Sequence, residues 1–221
     1  MHIEPGIVAG AKIVLSYATA ATAGIFTLKL VVDTLRERGL ASLGARAALA
    51  TVATFVFFQV LPHVAVGVSE VHLILGSTLF LIFGAAPAAI GLALGLLAQG
   101  LFFAPFDLPQ YGMNVTTLLV PLFAVAAVAR RVVAPGTAYV DLSYGQALVL
   151  STTFQGGVVA WVAFWAFYGQ GAAAWEGVVT FGAAYMLVVA VEPLVALALL
   201  AGAKSLRGLR NSGLVTPRLY A

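Results

Sequence analysis

The sequence has no cysteine among its 221 residues, and only 9% of them are charged. Without cysteine the chain has no disulfide, iron–sulfur cluster or thiolate metal site. So little charge excludes an ordinary soluble domain, in which about a quarter of the residues are charged. It also excludes a disordered chain, which combines low hydrophobicity with high charge. What the sequence has instead is 62% hydrophobic residues and a mean hydropathy of +1.05. This composition predicts a polytopic membrane protein.

Long apolar stretches divide the chain into membrane-sized pieces, since a spanning helix needs about 20 apolar residues. There are seven: 13–32, 45–61, 73–84, 86–104, 113–129, 145–168 and 177–201. The third is too short to span unaided and is expected to be a broken or re-entrant helix. We therefore predict an all-α fold with about seven transmembrane helical elements in a single integral-membrane domain, 1–221. An N-terminal segment, 1–12, would precede the first apolar stretch, and a basic tail, 203–221, would follow the last.

The basic residues alternate along the chain with the apolar stretches. Ten of the eleven lie in alternate connections or at their edges: Lys29, Arg36, Arg38, Arg46, Arg130, Arg131, Lys204, Arg207, Arg210 and Arg218. The other connections contain only Lys12. The positive-inside rule then places the C-terminus in the cytoplasm and the N-terminus outside the plasma membrane.

Two sequence patterns bear on packing and energy supply. Gly91-Leu92-Ala93-Leu94-Gly95 is a small-xxx-small pattern, which favours close helix packing within the bundle over a dimer face. Gly202-Ala203-Lys204-Ser205 ends a span and lacks the glycine that precedes lysine in a phosphate loop. The chain is therefore not expected to hydrolyse nucleotide or to be an enzyme.

The three histidines, His2, His63 and His72, all fall on the predicted outer face. An amino-terminal Met-His can offer a metal the Met1 amine and the amide and imidazole nitrogens of His2. A fourth nitrogen from a distant imidazole would complete a square, which suits Ni(II) or Cu(II) and is reachable by low-spin Co(II). The alternative is an exposed imidazole at a frayed chain end. Pro5-Gly6 is expected to turn the segment back toward the bundle, and His72 opens the short third element, a typical position for an ion site.

Several motifs with specific spacing lie at the N-terminus and within residues 60–125: Met1-His2-Ile3 with Gly6, His72 followed by Gly76-Ser77-Thr78 and Phe83-Gly84, then Gln99 and Gly112-Met113-Asn114. Together they resemble the CbiM/NikM family, the cobalt- or nickel-binding membrane subunits of energy-coupling-factor transporters. The resemblance implies metal ligands at Met1, His2 and His72, and we expect Asn114 to support them. It also implies a transmembrane coupling subunit and cytoplasmic ABC ATPases as partners and leaves open a small accessory membrane subunit. Co(II) or Ni(II) would be the transported substrate, with no organic cofactor and no nucleic acid.

The remaining polar residues carry open alternatives. His63 is expected to be an interfacial histidine, with an axial or ion-gathering role as the alternative. Glu70 and Asp107 are expected to be solvated loop carboxylates, or else groups that attract cations. Glu192 lies inside the last apolar stretch, where a carboxylate needs a partner or a functional reason. It is expected either to be paired at a helix kink or to contact a partner subunit.

Two other functions are alternatives to the proposal that the chain captures metal as a subunit of an ATP-driven transporter. A membrane cytochrome would use His63 and His72 as haem ligands, although nine residues in an outer loop is poor spacing for such a pair. A secondary metal transporter would need no ATPase and is the closer alternative.

Overall fold

The computed structural model describes residues 3–220, and helices dominate it. Within that range six α-helices form a bundle: α1 Val14–Phe55, α2 Gly76–Phe83, α3 Ala85–Phe102, α4 Tyr111–Val132, α5 Tyr144–Gln170 and α6 Trp175–Ser205. Four helical stretches of the described chain are long and apolar enough to cross a membrane, and the longest two each contain a break. The protein is thus an all-α polytopic membrane protein, as the composition predicts.

The first two predicted stretches, 13–32 and 45–61, lie on the two helical halves of α1, which meet at Gly39 without a loop between them. The backbone of α1 is helical on both sides of Gly39, whose φ of 75° and ψ of 177° break the helix at a single residue. Only glycine adopts such a conformation readily. The loop expected near residues 33–44 is therefore a sharp kink, and α1 continues into one π-helical turn, Val56–Val60.

The short third element is a broken helix, as predicted, but it begins later than expected. Residues 73–75 are not helical, and α2 has eight residues, which gives a length of about 12 Å. Gly84, at φ 89°, separates α2 from α3. Much of α2 is buried inside the bundle. The N-terminus of α2, four residues after His72, therefore lies in the protein interior.

A two-stranded antiparallel hairpin replaces the outer loop expected at residues 62–72. Its strands are β1, His63–Val66, and β2, Ser69–His72, and their register places His63 opposite His72. The tip of the hairpin packs on the first turn of α6, where a Cβ added to Gly67 would lie 2.1 Å from the Gly177 carbonyl oxygen. The hairpin is therefore fixed to the bundle at its tip.

The small-residue pattern packs inside the chain, as predicted. A Cβ on Gly91 would lie 2.4 Å from the Cβ of Ala50, and one on Gly95 would lie 2.6 Å from the Cβ of Thr54. Helix α3 therefore approaches the second half of α1 closely enough that only glycine fits at both positions.

The segment after α6 crosses one end of the bundle and is bonded to four helices or their ends. These bonds run from Ser42 Oγ to the Gly213 carbonyl, from the Thr216 amide to the Ile82 carbonyl, from Arg218 to the carbonyls of Val133 and Ala134, and from the Tyr220 hydroxyl to the carbonyls of Ala203 and Leu206. The Leu219 side chain is fully buried. The tail is thus part of the packed structure.

Deleting residues 214–221 is expected to lower the midpoint of thermal unfolding in detergent by about 5–10 °C. Burying one large apolar side chain contributes about 2–3 kcal/mol, and 1 kcal/mol corresponds to about 2–4 °C in a protein of this size. A Leu214→Ser variant is the control, because Leu214 is exposed. An unchanged midpoint in the deletion would show that the tail contributes nothing to stability.

Candidate metal centre

The segment before α1 turns back and pairs with the hairpin. The Ile7 amide donates to the Glu4 carbonyl at 3.1 Å across Pro5-Gly6, which confirms the predicted turn. Ile3 pairs with Ser69 in an antiparallel bridge, and the Glu4 amide donates to the Val68 carbonyl at 3.2 Å. The chain immediately after His2 therefore lies along β2, the strand that ends at His72. The predicted ligands Met1 and His2 themselves lie outside the described residues.

The same segment is attached to the end of α5. Lys12 Nζ donates to the carbonyls of Tyr168 and Gly169 at 3.0 and 2.8 Å. A cation at this position complements the negative end of the helix dipole. A Cβ on Gly169 would lie 1.9 Å from the Ile7 carbonyl oxygen, so the segment lies directly against α5 there.

Asn114, on the first turn of α4, holds the N-terminal segment from the other side. Its Oδ1 accepts a hydrogen bond from the Ile3 amide at 3.0 Å, and the side chain is 1% exposed. That amide is bonded covalently to the carbonyl carbon of His2. Asn114 also lines a small cavity of about 10 Å³ with Gln99 and Asp107, so two amide side chains from the motifs of the resemblance lie at the same cavity.

His72 ends β2 with its imidazole inside the protein, at 1% exposure. Its Nε2 lies 2.9 Å from Glu70 Oε2. In the tautomer protonated at Nε2 the ring donates to this carboxylate, and Nδ1 is the ring nitrogen that carries the lone pair. A carboxylate that orients a histidine in this way is common beside metal-binding histidines. The expectation of a solvated loop carboxylate at Glu70 is therefore replaced by direct contact with His72.

Two rings pack against the His72 imidazole. His63 stacks on it with ring centroids 4.8 Å apart and planes 15° apart, and Phe58 lies at 4.9 Å. His63 is exposed on its other side and its Nδ1 lies 3.3 Å from the Leu61 carbonyl. The structure thus places His63 beside His72, where its ring shields one face of the His72 imidazole.

Three carboxylates, Glu4, Glu70 and Asp107, lie close enough to interact electrostatically. Partial burial, followed by the charge of Glu70, raises the pKa of the Glu4 carboxyl above its usual value. Asp107 is 5% exposed, so the expectation of a solvated loop carboxylate is wrong there too. Within residues 3–220, no three histidine, aspartate or glutamate side chains are grouped so that they could hold a metal ion.

Glu192 lies in the interior at 0% exposure, so contact with a partner subunit at the protein surface is ruled out for this conformation. Its carboxylate accepts hydrogen bonds from Ser77, Ser151 and Gln155. The expectation of a paired carboxylate is the one that the structure supports. Its partners come from α2 and α5, so sequence spacing gives no sign of them.

The comparisons with known proteins agree with the helical membrane fold described above. No curated protein sequence and no solved structure matches the chain significantly. The family model described as the cobalt uptake substrate-specific transmembrane region, CbiM, matches residues 2–208, and the chain therefore belongs to this family of cobalt-uptake membrane components.

Proposed function

We propose that the protein captures Co(II) or Ni(II) at the outer face of the plasma membrane through four nitrogens. These are the Met1 amine, the amide and imidazole nitrogens of His2, and the imidazole of His72. The supporting observation is the pairing of Ile3 with Ser69, which ties the residue after His2 to the strand that carries His72. The hydrogen bond from Ile3 to Asn114 fixes the same point from α4.

The chemistry of this ligand set favours a planar arrangement. Amine, amide and imidazole of a Met-His terminus form fused chelate rings in one plane, and His72 would complete the square. In this site His72 would bind as a neutral imidazole that donates its Nε2 proton to Glu70 and coordinates the ion through Nδ1. Amine and amide must lose protons to bind, so metal affinity is expected to rise with pH.

The surroundings support entry of a cation from the outer side. Glu4, Glu70 and Asp107 concentrate negative charge beside the N-terminal segment, which raises the local concentration of divalent cations. Once bound, the ion would lie under the stacked ring of His63 and beside the buried His72. The N-terminal segment would then close the outer mouth of the bundle.

Transport requires an energy source, and we find no nucleotide-binding motif in this sequence. We propose that a transmembrane coupling subunit and cytoplasmic ABC ATPases provide it, with a small accessory membrane subunit as a further partner. The N-terminus would lie outside and the basic tail in the cytoplasm. Uptake that depends on ATP, together with co-purification of ATPase subunits, separates this proposal from a secondary transporter driven by an ion gradient.

The direct test is the metal content of the protein purified in equimolar Co(II) and Ni(II). We expect about one ion for each chain, and the ratio of the two metals gives the preference. A protein without bound metal at saturating concentrations would contradict the proposal. A Soret band in the absorption spectrum would favour the cytochrome instead.

Replacing His63 by alanine is expected to leave most metal binding intact, with at most about a tenfold loss of affinity. The proposed site has four nitrogens without His63, whose ring contributes stacking only. Dissociation constants for Ni(II) in the wild type and in His63→Ala measure the difference. Loss of binding equal to that of His72→Ala would indicate a two-histidine site on the hairpin.

A further inference from the structure

The strongest polar cluster that metal capture does not explain surrounds Glu192 in the middle of α6. Each of the two carboxylate oxygens of Glu192 accepts two hydrogen bonds. Oε1 accepts from the Ser77 amide at 3.2 Å and from its hydroxyl at 2.7 Å, whereas Oε2 accepts from Ser151 Oγ at 2.7 Å and from Gln155 Nε2 at 2.6 Å. Burial of a carboxylate is costly unless such bonds replace its hydration. These four hydrogen bonds therefore stabilise a polar side chain at a position where burial would otherwise be unfavourable.

The partners of Glu192 hold the short segment that connects His72 to α2. Gln155 Nε2 donates to the Ile74 carbonyl at 2.7 Å as well as to the carboxylate. The Ile74 amide donates to the His72 carbonyl at 3.0 Å, and the Tyr185 hydroxyl lies 3.4 Å from the same carbonyl. Glu192 is thus connected to the backbone of His72 through Gln155 and Ile74.

The second connection runs through the start of α2. Ser77 is the second residue of this helix, and both of its hydrogen bonds to Glu192 come from the helix N-terminus, where a negative charge is favourable. A Cβ on Gly76 would lie 2.0 Å from the ring of Phe154, so α5 packs directly against the backbone at this end of α2. The segment from His72 to Ser77 is fixed at both ends.

We propose that Glu192 is a positioning residue for the metal centre: it fixes the segment His72 to Ser77, through Ser77 and Gln155, so that the His72 imidazole meets the N-terminal chelate in the plane that the ion requires. The inference rests on the proposed function of the same site. All four groups around the carboxylate are hydrogen-bond donors, which argues against a second cation site at this point. Glu192 acts on the metal only through the position of His72.

The test compares Glu192→Gln with Arg46→Met in the full-length protein, with Ni(II) as the probe. Glutamine keeps the volume of the side chain but turns one acceptor into a donor, which then faces the Ser77 amide or the Gln155 amide. Arg46 is a matched control, because it is 1% exposed and donates to the Phe83 carbonyl at the opposite end of α2. Thermal stability, Ni(II) affinity and the ligand-field spectrum of bound Ni(II) are measured for both.

Glu192→Gln is expected to weaken Ni(II) binding about 10–100-fold, the usual effect of losing an outer partner of a metal ligand, and to shift the ligand-field bands. Arg46→Met is expected to lower thermal stability and leave the spectrum unchanged. Ser151→Ala removes one of the four donors and should give a smaller loss of affinity in the same direction. If Glu192→Gln does not fold, Ser77→Ala and Ser151→Ala decide the question by the same readouts.

Two results would overturn the positioning role. One is a folded Glu192→Gln protein with the affinity and spectrum of the wild type. The other is an equal spectral shift in Arg46→Met, which would mean that any loss of buried contacts disturbs the site. Failure of the proposed function looks different, because His72→Ala would then leave the Ni(II) spectrum of the wild type unchanged.

Discussion

Replacing His72 by alanine is expected to abolish specific binding of Co(II) and Ni(II) while the protein still inserts and folds. His72 would supply the fourth nitrogen, and loss of a direct ligand should exceed the roughly 10–100-fold effect of losing an outer partner. Folding should tolerate the change because His72 lies at the end of a four-residue strand, outside the helices of the bundle. The measurement is metal stoichiometry of the purified protein at equal expression.

His63→Ala is the matched control for this experiment. His63 pairs with His72 across the hairpin, carries the same side chain and stacks on the same ring, so both variants disturb the hairpin similarly. The two differ in burial, since His63 is exposed and His72 is not. Unchanged stoichiometry in His72→Ala would mean that the ligand is another residue.

The helices of the bundle were the most predictable part of the fold, because their apolar length is set by the bilayer. The predicted stretch 86–104 corresponds to α3, Ala85–Phe102, and the stretch 145–168 to α5, Tyr144–Gln170. The exception is the region of Arg36 and Arg38, where polar residues indicated a loop. A helix that emerges from the membrane tolerates such residues, and only the conformation of Gly39 marks the break.

The hairpin escaped prediction because its strands have four residues each, which is too short for hydropathy to distinguish them from a loop. The available signal was Gly67 between two short, valine-rich runs, Val64-Ala65-Val66 and Val68-Ser69-Glu70-Val71, because a glycine between such runs is typical of a hairpin turn. That signal also accounts for Glu70, since residues two apart on a strand point to the same face and His72 is its neighbour there.

The contacts of Glu192 could not be read from the sequence for a different reason. Ser77 and Gln155 are 115 and 37 residues away, so only the packing of α2, α5 and α6 brings them together. The tail is a similar case. The family match ends at residue 208, yet Gly213, Arg218 and Tyr220 beyond it are bonded to several helices or their ends.

Adding a single residue before Met1 is expected to destroy metal binding even though every side chain remains. The addition turns the terminal amine into a peptide nitrogen and moves His2 to position 3 of the chain. A terminus of that kind chelates a metal with four nitrogens of its own strand, which leaves no coordination position for His72. His2→Ala and removal of Met1 should be equally damaging, the first through loss of the imidazole and the second through loss of one chelate ring.

The structure supports this expectation, because the contacts of Ile3 oppose a shift of the N-terminal segment by one residue that would restore the original position of the amine. The Ile3 side chain is fully buried, its amide is bonded to Asn114, and Ile3 itself pairs with Ser69. A shift would put the polar imidazole of His2 into the apolar position of Ile3, where burial without partners costs a few kcal/mol. An added residue must therefore project from a fixed Ile3 and disturb the chelate.

A one-residue extension after Ala221 is the control, since it changes chain length by the same amount at the other terminus. Metal content and uptake are compared for the native protein, the two extensions and His2→Ala at equal expression. Loss confined to the N-terminal extension and His2→Ala would make the free amine a ligand. If the N-terminally extended protein binds and transports as well as the native one, the amine is excluded. The alternative ligands would then be His63, His72, Glu70 and Asp107, which the structure places near one another.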